Sequence, residues 1–260
     1  MSASLKSSCA HKTGKTDPQN FIKKIVESGL LVYIMLLILL VCAQFIIPGF
    51  MGIKNISSIL KMASFTGIAA IGQTLVILLG GIDMSVSNVV TFVNIFAAQI
   101  MSGSNENIPA AIAMVVILGA LVGFANATGI NYLKIPPMVM TLGVGTMVQG
   151  IALLYSKGAP KGNAAPLIRS IVNDAAVFGV ASWIVVLWII ISAVVIIVLK
   201  YTTFGRKLYT VGTNHVAARF AGINSKAIFY ACYIISGITA ALTGLMLAGY
   251  TGTASAESGA

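Results

Sequence analysis

Charge is what this chain has least of: among 260 residues only 8% are Asp, Glu, Lys or Arg, and Asp and Glu together number 6. Soluble domains carry about a quarter charged residues, so a water-solvated globule is excluded. Histidine is also scarce, with His11 and His215 alone, and no two carboxylates share a workable spacing. Nothing here supports catalysis. The 3 cysteines, Cys9, Cys42 and Cys232, have no spacing suited to a metal site or a disulfide framework. The weak ten-residue alternation of an outer-membrane barrel is missing too. Gly14-Lys15-Thr16 imitates the end of a phosphate-binding loop, but Cys9 stands where the first glycine is required and no buried strand precedes it. The sequence therefore shows no nucleotide-binding loop, and if ATP drives anything here, the hydrolysis belongs to another subunit.

What the chain has is hydrophobicity, at 58% of residues. A membrane helix takes about 20 apolar residues, and the apolar stretches define an all-α polytopic membrane protein of about seven transmembrane helices. The spans are expected over Gly29–Ile47, Met62–Gly80, Val86–Met101, Ile108–Asn126, Ile135–Tyr155, Trp183–Leu199 and Ala227–Tyr250. The first has no small-residue cleavage site after it and reads as an uncleaved helix rather than a signal peptide. Residues 1–28, with Lys6, Lys12, Lys15, Lys23 and Lys24, read as a disordered cytoplasmic tail, and 29–260 as the transmembrane domain. Gly80-Gly81-Ile82-Asp83 and Pro136-Pro137 could mark broken or re-entrant helices, which membranes tolerate only where protein or water covers the backbone.

A net charge of +10 suggests nucleic acid in a soluble protein. Here the cations flank apolar spans, the pattern that orients membrane proteins, and no nucleic-acid partner is expected. With the tail inside and sides alternating, eleven of the 16 Lys and Arg fall inside, and Lys54, Lys61, Lys157, Lys161 and Arg169 fall outside. That direction satisfies the positive-inside rule. It puts the longest polar interruption, Lys200 to Lys226, on the cytoplasmic side. This segment holds Arg206, Lys207 and Arg219 but no acid; Asn214 can cap a helix start and Gly222 can end one. A short helix from about His215 to Ala221 is expected. Lys61 is expected to snorkel to the outer interface.

Polar groups at membrane depth need partners. Asp83 or Ser85 reads as a cap for the helix that follows, with a place for Asp83 in a solute path as the alternative. Gln73, Asp83, Asn94 and Gln149 are the candidate lining residues, while Asn126 reads as a helix terminus. Small residues every fourth position, at Gly119, Gly123 and Ala127 and at Ser236, Ala240, Gly244 and Ala248, read as packing seams.

Two passages carry a likeness. Gly72-Gln-Thr-Leu-Val-Ile-Leu-Leu-Gly-Gly-Ile-Asp-Met-Ser-Val86 and Thr203-Phe-Gly-Arg206 through Tyr209, Gly212, Asn214, Ala217, Ala218, Gly222 and Ile223 resemble the permeases of bacterial ribose-type ATP-binding-cassette sugar importers. Lys134-Ile-Pro-Pro137, Thr141-Leu-Gly143 and Ser236-Gly237 add weaker likeness. The sequence departs from the family pattern at Ser87, Gln149, Thr213 and Val216. The resemblance implies a permease subunit importing a monosaccharide or related hydrophilic solute across the bacterial inner membrane. It implies an ATP-binding partner subunit carrying ATP and Mg, a second permease subunit and a periplasmic substrate-binding protein. It also implies that Gly205, Arg206, Gly212, Asn214, Ala217, Ala218, Arg219 and Gly222 form a loop coupled to the ATPase, and that further spans follow residue 260 in the family. A sugar-derived signalling molecule as cargo, an ion-coupled carrier and an inactive truncated subunit are the alternative expectations.

Overall fold

The computed structural model describes residues 30–47, 49–177, 181–255 and 259, without the side chains of 30 and 175–177. The expected tail lies outside these residues. Residues 1–52 and 53–260 are two separate units. In the first, α1 (Leu30–Ile46) is an apolar helix without a charged residue, and the Gln44 side chain just before its end accepts the Met51 N–H at 2.7 Å.

The second unit is a helical bundle. Its main helices are α2 (Ile53–Leu78), α3 (Val86–Met101), α4 (Ile108–Asn131), α5 (Pro137–Ser156), α7 (Trp183–Tyr201) and α10 (Ser225–Thr251). Shorter pieces join them: a 3-10 turn (Asn105–Asn107), the amphipathic α6 (Pro166–Asn173), the two-stranded pair β1 (Ala175–Val177) and β2 (Ala181–Ser182), then α8 (Thr203–Thr213) and α9 (His215–Phe220). Five described helices are long and apolar enough to cross a membrane: α2, α5, α7, α10, and α4 together with the 3-10 turn before it. Helix α3 matches its expected span, α2 begins nine residues before Met62, and α4 runs five past Asn126. Asn126 is therefore inside a helix and fully buried, not at a terminus.

Helix α10 is the hub, packed against α2, α3 and α4. Its small residues make this possible. Ser236, Ala240, Gly244 and Ala248 are all buried, and so are Gly119, Gly123 and Ala127 of α4, as the four-residue spacing predicts. A Cβ on Gly123 would overlap the carbonyl oxygen of Tyr233, and one on Gly72 would overlap the hydroxyl of Thr239. Without a hydrophobic drive between helices in lipid, such close approach supplies the packing.

Side-chain contacts sort the cations into two ends. Lys226 lies over the Tyr132 ring at 4.7 Å, so the α4–α5 connection with Lys134 shares an end with the start of α10, α8 and α9, and with Lys200, Arg206, Lys207 and Arg219. No described carboxylate is at that end. Toward the opposite end, the Lys61 ammonium donates to the Asn173 carbonyl at 2.6 Å, reaching along its stem to the terminus of α6 as snorkelling predicts.

Candidate functional site

The segment between α7 and α10 folds as two helices where one was expected. Helix α8 went unforeseen, although Phe204, Leu208 and Val211 repeat at helical spacing and could have shown it. Thr202 caps it, accepting the Gly205 N–H. Leu208 and Val211 face inward. A Cβ on Gly205 would overlap the Leu199 carbonyl, and one on Gly212 the Leu78 carbonyl. Both glycines therefore let α8 lie flat against the bundle end.

Helix α9 forms where capping chemistry places it. The Asn214 side chain accepts the N–H groups of Val216 at 2.9 Å and Ala217 at 3.0 Å. At its other end Gly222 takes φ +73°, and the Ile223 N–H reaches back to the Ala218 carbonyl at 3.0 Å. Ala218 is fully buried, in a cluster with Leu75, Leu79, Leu208, Val211 and Ile228. It faces the chain's own interior. Ala217, Arg219 and Arg206 are exposed, and Phe220 and Val216 project outward at 90% and 65% exposure. These two apolar side chains, four residues apart on one face, were not among the expected contact residues.

The second cluster is the turn between α2 and α3. After Leu78 the chain turns at Gly80, φ +78°, and doubles back into the bundle, so that α3 starts at depth, level with Ser236 of α10. This is the re-entrant alternative. Asp83, 5% exposed, does not cap α3. Its Oδ1 accepts the N–H and hydroxyl of Ser85 at 3.0 and 2.6 Å, and its Oδ2 accepts the Ser236 hydroxyl at 2.9 Å. Asn126 donates to the Ser85 hydroxyl at 2.9 Å, and the Gln73 amide faces the Asp83 backbone N–H and C=O, each at 3.3 Å in the orientation that pairs donor with acceptor. Residues of α2, α4 and α10 and the residue before α3 thus gather around Asp83, with Ser85 and Ser236 on its carboxylate. The buried Tyr233 hydroxyl and Asn126 Oδ1 have no hydrogen-bond partner among the described residues. Among the described residues no cluster of His, Cys, Asp and Glu could hold a metal.

The other lining candidates separate. Asn94 is fully buried two turns further along α3, and Gln149 is exposed on α5. The structure brings Gln73 and Asp83 together and leaves Asn94 and Gln149 apart from them.

Helices of membrane-spanning length around a re-entrant turn, with a polar cluster at depth, define a polytopic membrane protein with buried polar interior. Comparison with known proteins narrows this. A family model described as the permease component of the branched-chain amino acid transport system matches residues 55–260. The chain belongs to this family of transport permeases. A ribose import permease protein of Haemophilus influenzae is 34% identical over 221 residues, covering 83% of this chain and 67% of the relative. The ribose import permease of Escherichia coli K12 is 30% identical over 82% of this chain and 67% of its own length. An autoinducer 2 import system permease of Escherichia coli O9:H4 is 31% identical over 83% of this chain and 64% of its own. The matches thus span about two-thirds of these relatives. No solved structure matches the chain.

Proposed function

We propose that this chain is the membrane-spanning subunit of an ATP-driven importer for a ribose-like monosaccharide, working with a separate ATP-binding subunit, a second permease subunit and a substrate-binding protein. The names of the relatives support a sugar or the related signalling molecule as cargo. The α8–α9 end is the cytoplasmic, ATPase-facing end in this reading, with the membrane being the bacterial inner membrane.

The observation that carries the reading is α9: a short, doubly capped helix holding Val216 and Phe220 out into solvent on an end rich in Lys and Arg and without a described carboxylate. A 90% exposed Phe on a rigid helix is costly to leave bare and suits a partner's apolar groove. Arg206 and Arg219 beside it can reach acidic groups. Gly205, Gly212, Asn214, Ala218 and Gly222 then act indirectly, by building and seating the helix that Ala217, Val216 and Phe220 present. A rigid-body shift of α9 on ATPase closure would be passed to α7 and α10 through the chain itself.

The test is Phe220→Asp with Ala217→Glu as a second variant, in cells carrying the partner subunits. Both positions are exposed, so abundance and membrane insertion stay at wild-type levels, while ATP-driven uptake of labelled D-ribose falls at least ~tenfold, the loss of a single well-packed anchor. Uptake at the wild-type rate in both variants overturns the assignment of α9.

A further inference from the structure

At the end of the bundle that bears α8 and α9, the α4–α5 connection meets the start of α10. Helix α4 ends at Asn131, and Tyr132, Leu133 and Lys134 follow it, all three exposed. The turn is stiff. Leu133 and Ile135 both return their N–H groups to the Gly129 carbonyl, at 3.1 and 3.4 Å, Lys134 takes φ +58° between them, and Pro136-Pro137 fix the entry to α5. The exposed Lys226 of α10 stands with its ammonium over the Tyr132 ring, 4.7 Å from the centroid. Lys134 is two residues from Tyr132, so the two Cα atoms are within about 7 Å of each other. Two exposed lysines thus gather at one exposed ring, the first by contact and the second by its place in a rigid turn.

The fold does not account for either lysine. The carboxylates among the described residues are Asp83, Glu106 and Asp174. Asp83 is buried with Ser85 and Ser236, and Asp174 follows α6 beside the carbonyl that holds Lys61. Glu106 precedes α4, so the length of that helix, about 36 Å, separates it from Tyr132. The helix dipole gives no reason for Lys226, which sits in the first turn of α10, where an anion is favoured and no acid is present. An exposed ring and an exposed Leu beside two such cations match a bilayer interface instead. There an aromatic ring lies at headgroup level, an aliphatic side chain below it and the ammonium groups above. An acidic phospholipid brings the complement, an anionic phosphate for the lysines and acyl chain for Leu133.

We propose that Tyr132, Lys134 and Lys226 bind the headgroup phosphate of an acidic phospholipid, and that this lipid pins the start of α10 to the α4–α5 turn. The site rests on the chain's being a membrane permease and not on its cargo. Its consequence for the importer reading is mechanical. Lys226 lies four residues past Gly222, where α9 is terminated, so a bound lipid braces the hub helix at the point where a shift of α9 would enter it.

Native mass spectrometry of the purified full chain tests this, with phosphatidylglycerol or phosphatidylcholine of the same acyl chains added in detergent. The first bound lipid is expected to be phosphatidylglycerol, preferred at least about tenfold, with Lys134→Gln and Lys226→Gln each lowering its affinity roughly fivefold. Tyr132→Leu lowers it about threefold by removing the ring under Lys226. All these positions are exposed, and unchanged phosphatidylcholine adducts report that the variants keep their fold. Arg206→Gln with Lys207→Gln removes the same charge from the same end and is expected to cost less than about twofold. Equal losses in the two double variants would mean general attraction between a basic end and any acidic surface, and overturn the site. Displacement by free glycerol phosphate as effective as by the lipid overturns the lipid as ligand. A double lysine variant that binds phosphatidylglycerol like the wild type, yet no longer retains the ATP-binding subunit at the membrane, assigns these lysines to that partner and overturns the proposal.

Discussion

Helices α7 and α10 are both continuous, apolar and long enough to span a bilayer, yet two-thirds (67%) of the α10 span is buried in the bundle and only 11% of the α7 span. The better buried helix is the less hydrophobic one. Helix α7 is built almost entirely of Ile, Val, Leu and Trp, and Ile189, Ile190, Val194, Ile196 and Ile197 stay exposed. Helix α10 carries Ser236, Gly237, Thr239, Thr243, Gly244 and Gly249, all buried. In water the ranking would be reversed. In lipid the acyl chains solvate a large aliphatic face as well as a protein does, so nothing drives it inward, whereas small and hydroxyl residues gain by close backbone approach and by hydrogen bonds across helices.

The largest expected effect breaks that contrast at its tightest point. Gly123→Ala places a methyl group on the Tyr233 carbonyl and within 2.7 Å of the Ile234 Cα, both backbone atoms that cannot turn aside. Forcing α4 and α10 apart costs about 2 kcal/mol or more, whereas Ile190→Val on α7 stays within about 0.5 kcal/mol. Reversible unfolding in detergent micelles reads both. Equal losses at the two positions would mean that α7 is packed as tightly as α10, and the contrast would fail.

How much of this was legible before the structure depends on whether the signal was local. The short helix after Asn214 was, because capping by Asn214 and termination at Gly222 are decided within a few residues. The seams of α4 and α10 were, because four-residue spacing of Gly, Ala and Ser is itself the packing surface. The role of Asp83 was not: its partner Ser236 lies 153 residues away, and only the return of the chain into the bundle at Gly80 brings them together. Asn126 was misplaced for the same reason, since a polar residue in an apolar run looks like an end until its buried acceptor is known. Helix α8 was missed through its low hydrophobicity, although its inward residues keep helical spacing.

A smaller effect sharpens the contrast at Asp83. Ser236→Ala removes the donor to Oδ2 and leaves the two Ser85 bonds in place. A hydrogen bond to a carboxylate contributes about 1.5–3 kcal/mol, and cross-helix bonds in membranes reach about 1.7 kcal/mol at most, so a loss near 1.5 kcal/mol is expected. A cycle with Asp83→Asn measures the part that belongs to the pair. Additive losses would show that Ser236 serves α10 by its size alone.

The smallest effect lies at the margin of the hub. The Tyr230 hydroxyl of α10 is 2.9 Å from the Thr128 hydroxyl of α4, and Thr128 also bonds the Phe124 carbonyl one turn back. Tyr230→Phe keeps the ring, which sits 5.2 Å from the Phe124 ring, and removes one cross-helix bond from a pair that is only partly buried. Because Thr128 retains its own-helix acceptor, no donor is stranded. The cost should be about 0.6 kcal/mol, the usual worth of such a bond in a membrane bundle. A loss above about 2 kcal/mol would exceed the bond itself and would place more of the α4–α10 seam's strength in this hydroxyl pair than in the close approach at Gly119 and Gly123, which is the reverse of what the buried backbones of these two helices argue.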